Sequence, residues 1–125
     1  MSNREIIKSY SAEGTISPCR LVKPGAADYG VVVATAGADK VIGVTMPLVS
    51  VVSGDSVEIM HEGIADLQLG GTVTRGDLLM SDGTGQGIVA AAGAGANVRT
   101  IGTALVSGVS GDIIPVLLSP GSFQG

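Results

Sequence analysis

A chain of 125 residues is long enough to bury the core of one domain, and its 45% hydrophobic content is mostly Val, Ile, Leu and Ala, since the aromatics are only Tyr10, Tyr29 and Phe123. With 20 glycines added, that mixture argues against a helical protein, where each interior Gly costs about 1 kcal/mol, and for short strands between tight turns. A net charge of −4 argues against a nucleic-acid partner, which needs clustered Lys and Arg, and a charged fraction of 14% is low for a surface wholly in water.

In chain order, residues 1–14 mix charged and apolar side chains and lack the apolar run of a signal peptide. They read as an N-terminal arm carrying Arg4, Ile6, Ile7 and Tyr10. Strands are predicted at 19–23, 29–34, 40–45, 56–61, 64–67, 77–81, 87–91, 99–106 and 112–118. Turns fall at Pro24-Gly25, Gly37-Ala38-Asp39, Ser53-Gly54-Asp55, Gly70-Gly71, Asp82 to Gly85 and Ser110-Gly111-Asp112. Residues 92–97, AGAGAN, read as a loop. Pro47, Pro115 and Pro120 point to edge or strand-end positions, because Pro cannot donate to a ladder. The body then runs over 15–121, and residues 122–125 form a tail with Phe123 and Gln124. No apolar stretch approaches the ~20 residues of a membrane span, so synthesis in a cytosol and no membrane partner are expected.

The two halves echo each other. Ile16-Ser17 recurs as Val73-Thr74, Leu21-Val22 as Leu78-Leu79 and Gly30-Val31-Val32 as Gly87-Ile88-Val89, each at an offset of 57. Ile42-Gly43 meets Ile101-Gly102 at 59, and Gly54-Asp55 returns to 57 against Gly111-Asp112. Pseudo-repeats at about 15–63 and 72–121 predict an all-β fold, a small barrel-like single domain with an internal two-fold pseudo-repeat.

Chemistry is sparse. Cys19 is the sole cysteine and reads as a small buried thiol. His61 is the sole histidine and supplies one ligand where a metal needs three or four. Most aspartates sit at predicted turns, where they satisfy backbone donors. Gly83-Thr84-Gly85-Gln86-Gly87 lacks the following Lys of a phosphate loop, and no lysine has the hairpin setting of a lipoyl or biotin carrier. No catalytic, metal or cofactor site is predicted, and the protein reads as a non-enzyme. Arg75-Gly76-Asp77 aligns with Pro18-Cys19-Arg20 at a strand's start, and without a disulfide-clamped loop it reads as structural.

The stretches "GTVTRGDLLMSDGTGQ", "RTIGTALVSGVSGDIIPVLLSPGSFQG", "ISPCRLVKPG" and "VIGV" resemble the capsid cement, or head decoration, proteins of tailed bacteriophages. The resemblance runs over nearly the whole chain and implies a structural role. Such proteins look like small β-barrel or β-tulip domains on the outside of an expanded shell, bridging major capsid subunits, as trimers or alternatively dimers. On that reading Arg4, Ile6, Ile7, Tyr10, Phe123 and Gln124 grip the capsid or a neighbouring copy. Removing residues 1–13 is then expected to leave a folded barrel that no longer binds heads, whereas an arm that merely completes the barrel predicts an unfolded or aggregated deletion variant. The competing expectation is a virion-displayed recognition module for a host surface or glycan.

Overall fold

The structure is a computed structural model in which residues 6–46, 50–91 and 97–124 are described. Those residues form β1 (Ile6–Ala12), β2 (Leu21–Pro24), β3 (Gly30–Val33), β4 (Gly43–Thr45), β5 (Ser56–Gln68), β6 (Leu78–Ser81), β7 (Gly87–Val89), β8 (Asn97–Ala104) and β9 (Ile113–Gln124), and contain no helix. The fold is all-β, as the Gly-punctuated β-branched runs predict.

The strands pair in the order β1-β3-β2-β4-β5, and β5 returns to β1, which closes a five-stranded barrel. From β5 the sheet continues through β9, β8, β6 and β7. A parallel bridge from Gly87 of β7 to Leu69, just past β5, brings this second ring nearly shut. The strand β5 serves both rings, its first half in one and its second half in the other. Sequence predicts two strands, 56–61 and 64–67. The chain instead runs straight through Gly63, whose φ of 113° lets it pass from ring to ring without breaking the ladder.

The repeat holds for most strand pairs but slips by one residue in the hairpins: Val22↔Val33 between β2 and β3 recurs as Leu79↔Val89 between β6 and β7, so Val31, and not Gly30 as the sequence alignment has it, is the counterpart of Gly87. Leu21↔Val44 and Val22↔Gly43 between β2 and β4 recur as Leu78↔Thr103 and Leu79↔Gly102 between β6 and β8. Tyr10↔Val57 recurs as Leu67↔Ile114, and the isolated bridge Ile16↔Val51 as Val73↔Gly108. The unit therefore starts earlier than residue 15: β1 is the counterpart of 63–69, the second half of β5 with the residue that follows it. Residues 6–12, which the sequence sets apart as an arm, lie within the barrel, antiparallel to β5 and parallel to β3.

Two glycine pairs explain motifs shared by the halves. A Cβ on Gly43 would strike the Met60 carbonyl, and one on Gly102 the Leu117 carbonyl, so each Ile-Gly marks a strand crossing too close for a side chain. Gly54 and Gly111 adopt φ of 93° and 92°, the left-handed corner of each Gly-Asp turn. The following carboxylates close these turns: Val52 N–H donates to Asp55 at 3.1 Å and Val109 N–H to Asp112 at 3.0 Å.

Pro115 is not on an edge. It sits in β9 between β5 and β8, but its carbonyl accepts from Leu105 N–H at 3.2 Å, one residue past the end of β8. Its missing donor thus faces a place where the ladder is already ending. Pro47 and residues 92–96 lie outside the described residues.

The core has two parts. Ala12, Ile16, Val22, Val31, Val57 and Ile59 fill the first ring, with Tyr10, Ile42 and Val51 against them. The larger cluster joins the second ring's interior, Leu67, Leu69, Leu79, Ile101, Ile114 and Val116, to Leu21, Val44 and Met60 on the outer face of the first. One ring's outer wall is therefore buried against the other ring. At about 1.5–3 kcal/mol per fully buried large apolar side chain, this joint binds the rings into a single body.

Candidate interaction surface

Among the residues the sequence singles out for binding, Ile6 and Ile7 of β1 are 46% and 41% exposed. Both remain free to contact another surface. Tyr10 is committed inward: its ring packs on the first core, and its hydroxyl lies 2.7 Å from His61 Nε2. The other ring nitrogen of His61, Nδ1, lies 2.7 Å from the Ile42 carbonyl. A tautomer protonated at Nδ1 donates to Ile42 and accepts from Tyr10, so both polar groups are satisfied within the fold. Arg4 lies outside the described residues. Phe123 and Gln124 end β9 opposite Val98 and Asn97, so the tail is part of the sheet.

Tyr29 is 67% exposed, and Lys8 Nζ sits 4.9 Å from its ring centroid. It belongs to the turn Pro24–Gly30, which Glu13 holds from below: Ala26 and Ala27 N–H donate to its two carboxylate oxygens at 2.8 and 3.0 Å. Those bonds depress the Glu13 carboxyl below its ordinary pKa. The turn, with Tyr10 and Ile42, lines an open cavity of about 490 Å³.

The Arg-Gly-Asp turn is explained by its counterpart. Gly76 has φ of 93°, and Cys19, at the same place in the first ring, has φ of 60°. The fold demands a left-handed residue here, which the sequence comparison misses because the first ring meets the demand with Cys, at a conformational cost. Both residues donate to the strand opposite, Cys19 N–H to Thr45 O at 3.2 Å and Gly76 N–H to Ala104 O at 2.7 Å. Asp77 completes the turn by accepting from Thr74 N–H at 2.9 Å. The triplet is a strand-entry device.

Cys19 is buried and free, and desolvation, helped by Asp66, pushes its thiol up. No group of three or more His, Cys, Asp or Glu capable of holding a metal occurs among the described residues. Asp39, Asp55, Asp77, Asp82 and Asp112 each accept a backbone N–H at a turn. Asp66, within the strand predicted at 64–67, lies inside β5, opposite Pro115.

The surface feature that the sequence reading does not single out is apolar. Leu78, Thr103, Leu117 and Ile64 face one another across four strands of the second ring, through successive cross-strand pairs. Leu78, Leu117 and Ile64 are 47%, 46% and 45% exposed. The available signal was the repeat itself, since Leu21 and Met60 stand at the matching places of the first half and are apolar too.

The class these features define is an all-β domain of two repeated five-stranded units sharing a long strand. No family model and no curated protein sequence matches the chain. Among solved structures, it is similar to the N-terminal base of the head fiber protein gp8.5 of bacteriophage phi29, with a TM-score of 0.64 and 15% sequence identity. The match covers 93% of this chain and 95% of that one, so the fold is shared over the whole length.

Proposed function

We propose that the chain is a structural part of a tailed-phage head, a cement or decoration protein on the outer surface of the shell. The observation that carries the reading is the fold shared end to end with a head fiber base. The sequence resemblance to head decoration proteins supports the same reading. In this role the protein bridges neighbouring major capsid subunits and resists the outward pressure of packaged, self-repelling DNA. It acts as a homotrimer, with a dimer as the other arrangement. A specific contact of the usual size, roughly 1,600 Å² in total, is enough per site when several sites are engaged together. Ile6 and Ile7 are the described members of the predicted arm that remain available for such a contact.

The test mixes purified protein with expanded, DNA-free heads and sediments them. Saturable pelleting with the heads, and heads that withstand heating better when coated, are expected. Protein that stays in the supernatant at every ratio sinks the reading. A second reading, a recognition module displayed on the virion, is favoured by the exposed Tyr29 beside Tyr10 on an open cavity, since sugars stack on such rings. Binding of the isolated protein to a glycan array would favour it over the first.

A further inference from the structure

The first ring places a tyrosine where the second places a glycine. With the one-residue slip of the hairpins, Tyr29 stands at the position of Gly85, and both are left-handed, at φ of 61° and 77°. Glycine adopts that conformation freely, and an L-residue does so at a cost. Gly85 is buried in the joint, where a Cβ would strike Val33. Tyr29 is 67% exposed, more than any other large apolar side chain among the described residues. Burial therefore does not offset its strain, and a strained, outward-facing aromatic residue points to a function for the ring itself.

The surroundings of the ring are open and largely polar. Lys8 Nζ sits 4.9 Å from its centroid, and the Tyr10 ring is tilted at 48° with its centroid 6.4 Å away. Tyr29 and Tyr10 together border two open cavities. One, of about 490 Å³, is completed by the turn around Asp28 and by Ile42. The other, of about 270 Å³, is completed by Ser9, Ser11, Ser56 and Gly54. Ser9, Ser11, Ser56 and Asp28 are all exposed. Small-ligand sites occupy about 300–1,000 Å³, and the larger cavity alone falls within that range.

An aromatic face flanked by three hydroxyls on one side and a carboxylate on the other offers stacking at the centre and hydrogen bonds at the rim. A neutral pyranose ring has the complementary make-up, with C–H faces above and below and hydroxyls around the edge. An apolar protein anchor fits less well, because the second cavity is walled by serines and a glycine apart from the two tyrosines. The platform is also held in place. Ala26 and Ala27 N–H donate to the Glu13 carboxylate, and a Cβ on Gly25 or Gly30 would strike that same carboxylate, so the turn packs directly on it. Such a clamp lowers the ordering cost of binding.

We infer that Tyr29, with Ser9, Ser11, Ser56 and Asp28 around it, is a binding site for a neutral pyranose sugar that stacks on the exposed ring. The inference rests on the recognition reading above, to which it supplies a site and a ligand class, and it is independent of the shell-bridging role.

The test titrates the full chain with cellotetraose, maltotetraose and the N-acetylglucosamine tetramer, read by saturation-transfer NMR. Binding of at least one is expected. Tyr29→Gly should weaken it about tenfold or more while melting at or above wild type, because glycine removes the left-handed strain. A ring that serves only the fold gives the reverse: unchanged binding and a lower melting temperature. Tyr29→Phe, which keeps the stacking face, should still bind, and Leu78→Ala, on the other ring, should bind as wild type does.

Wild type that binds none of the three sugars, or binds them no better than Tyr29→Gly, overturns the inference. So does loss of binding in Leu78→Ala, which would mark the signal as general adhesion. Glycan-array binding that persists in Tyr29→Gly removes this site and leaves the recognition reading standing. If no sugar binds and Tyr29→Gly no longer sediments with heads, the ring anchors a capsid subunit instead. Protein that binds sugar through Tyr29 but ignores heads defeats the cement reading alone.

Discussion

Leu21 and Leu78 stand at the same place in two copies of one unit, with the same cross-strand partner position, yet the first is sealed from water and the second is 47% exposed. The same contrast separates Met60, at 4%, from Leu117, at 46%. Strand register is a local property that the repeat copies faithfully. Burial is set by what lies outside the unit, and only the first unit has this face covered within the same chain. An apolar side chain kept at the uncovered copy marks a surface that something else covers, or a liability the molecule carries.

The largest effect should come from breaking the first ring outright. Deleting residues 1–12 removes β1, which leaves β3 and β5 unpaired along one side and opens the core formed by Ile16, Val22, Val57 and Ile59. Loss of the cooperative thermal transition is expected by circular dichroism. Deleting only residues 1–5 should leave melting unchanged and isolates any grip supplied by Arg4. A truncation to residue 13 that melts like wild type would restore the arm picture drawn from sequence.

Next in size is a direct measurement of the contrast. Leu21→Ala empties a sealed site at the joint and should cost about 2–5 kcal/mol by denaturant unfolding. Leu78→Ala, measured below the concentration of self-association, should fall within about 0.5 kcal/mol of wild type. Equal costs for the two would mean that the second face is already covered within one chain.

The contrast also marks how far sequence could reach. The strands of β2, β3, β6 and β7 were legible because short apolar runs sit between Gly-rich turns, and the Gly-Asp and Ile-Gly signatures recur in both halves. The start of the unit was not. In β1 and its counterpart only Ile7 and Ile64 are alike. Tyr10 and Ala12 do the packing work of Leu67 and Leu69 with side chains of quite different size. The strand β5 was split because a glycine at its centre looks like a turn. The exposed Leu78–Leu117–Ile64 row was invisible for another reason: alternation tells which residues share a face, but not whether that face meets water.

The strand-entry turns sharpen the comparison at lower energy. Gly76 at φ of 93° has nothing within 4 Å of where a Cβ would stand, so Gly76→Ala carries only the conformational penalty of a left-handed L-residue. About 1–2 kcal/mol is expected from a shift in the denaturation midpoint. Cys19 already carries that cost in the first ring. A Gly76→Ala variant of unchanged stability would show that the turn can relax to negative φ, and that Cys19 is held left-handed by its burial.

The smallest predicted effect concerns the joint and depends on pH. Asp39 lies in the loop that carries Gly37, which reaches across to the second ring: Arg99 N–H donates to the Gly37 carbonyl at 2.8 Å. Partial burial raises the Asp39 carboxyl pKa, but the bond from Thr35 N–H and the Lys23 ammonium at 3.0 Å outweigh it, leaving the group below its ordinary value. A carboxylate depressed in the folded state binds its proton more readily once unfolded. Its stabilisation is therefore complete above the unfolded pKa, near 4, and fades as pH falls through the lower folded value. Thermal melts taken from about pH 6 downward should show wild type losing stability across that acid range, and Asp39→Asn, which cannot ionise, losing less over the same range. Parallel curves for the two proteins would mean that the Lys23 pair contributes nothing to holding the loop. Because the loop lies at the covered face, the acid loss should register in the joint between the rings and leave the exposed Leu78 face unchanged.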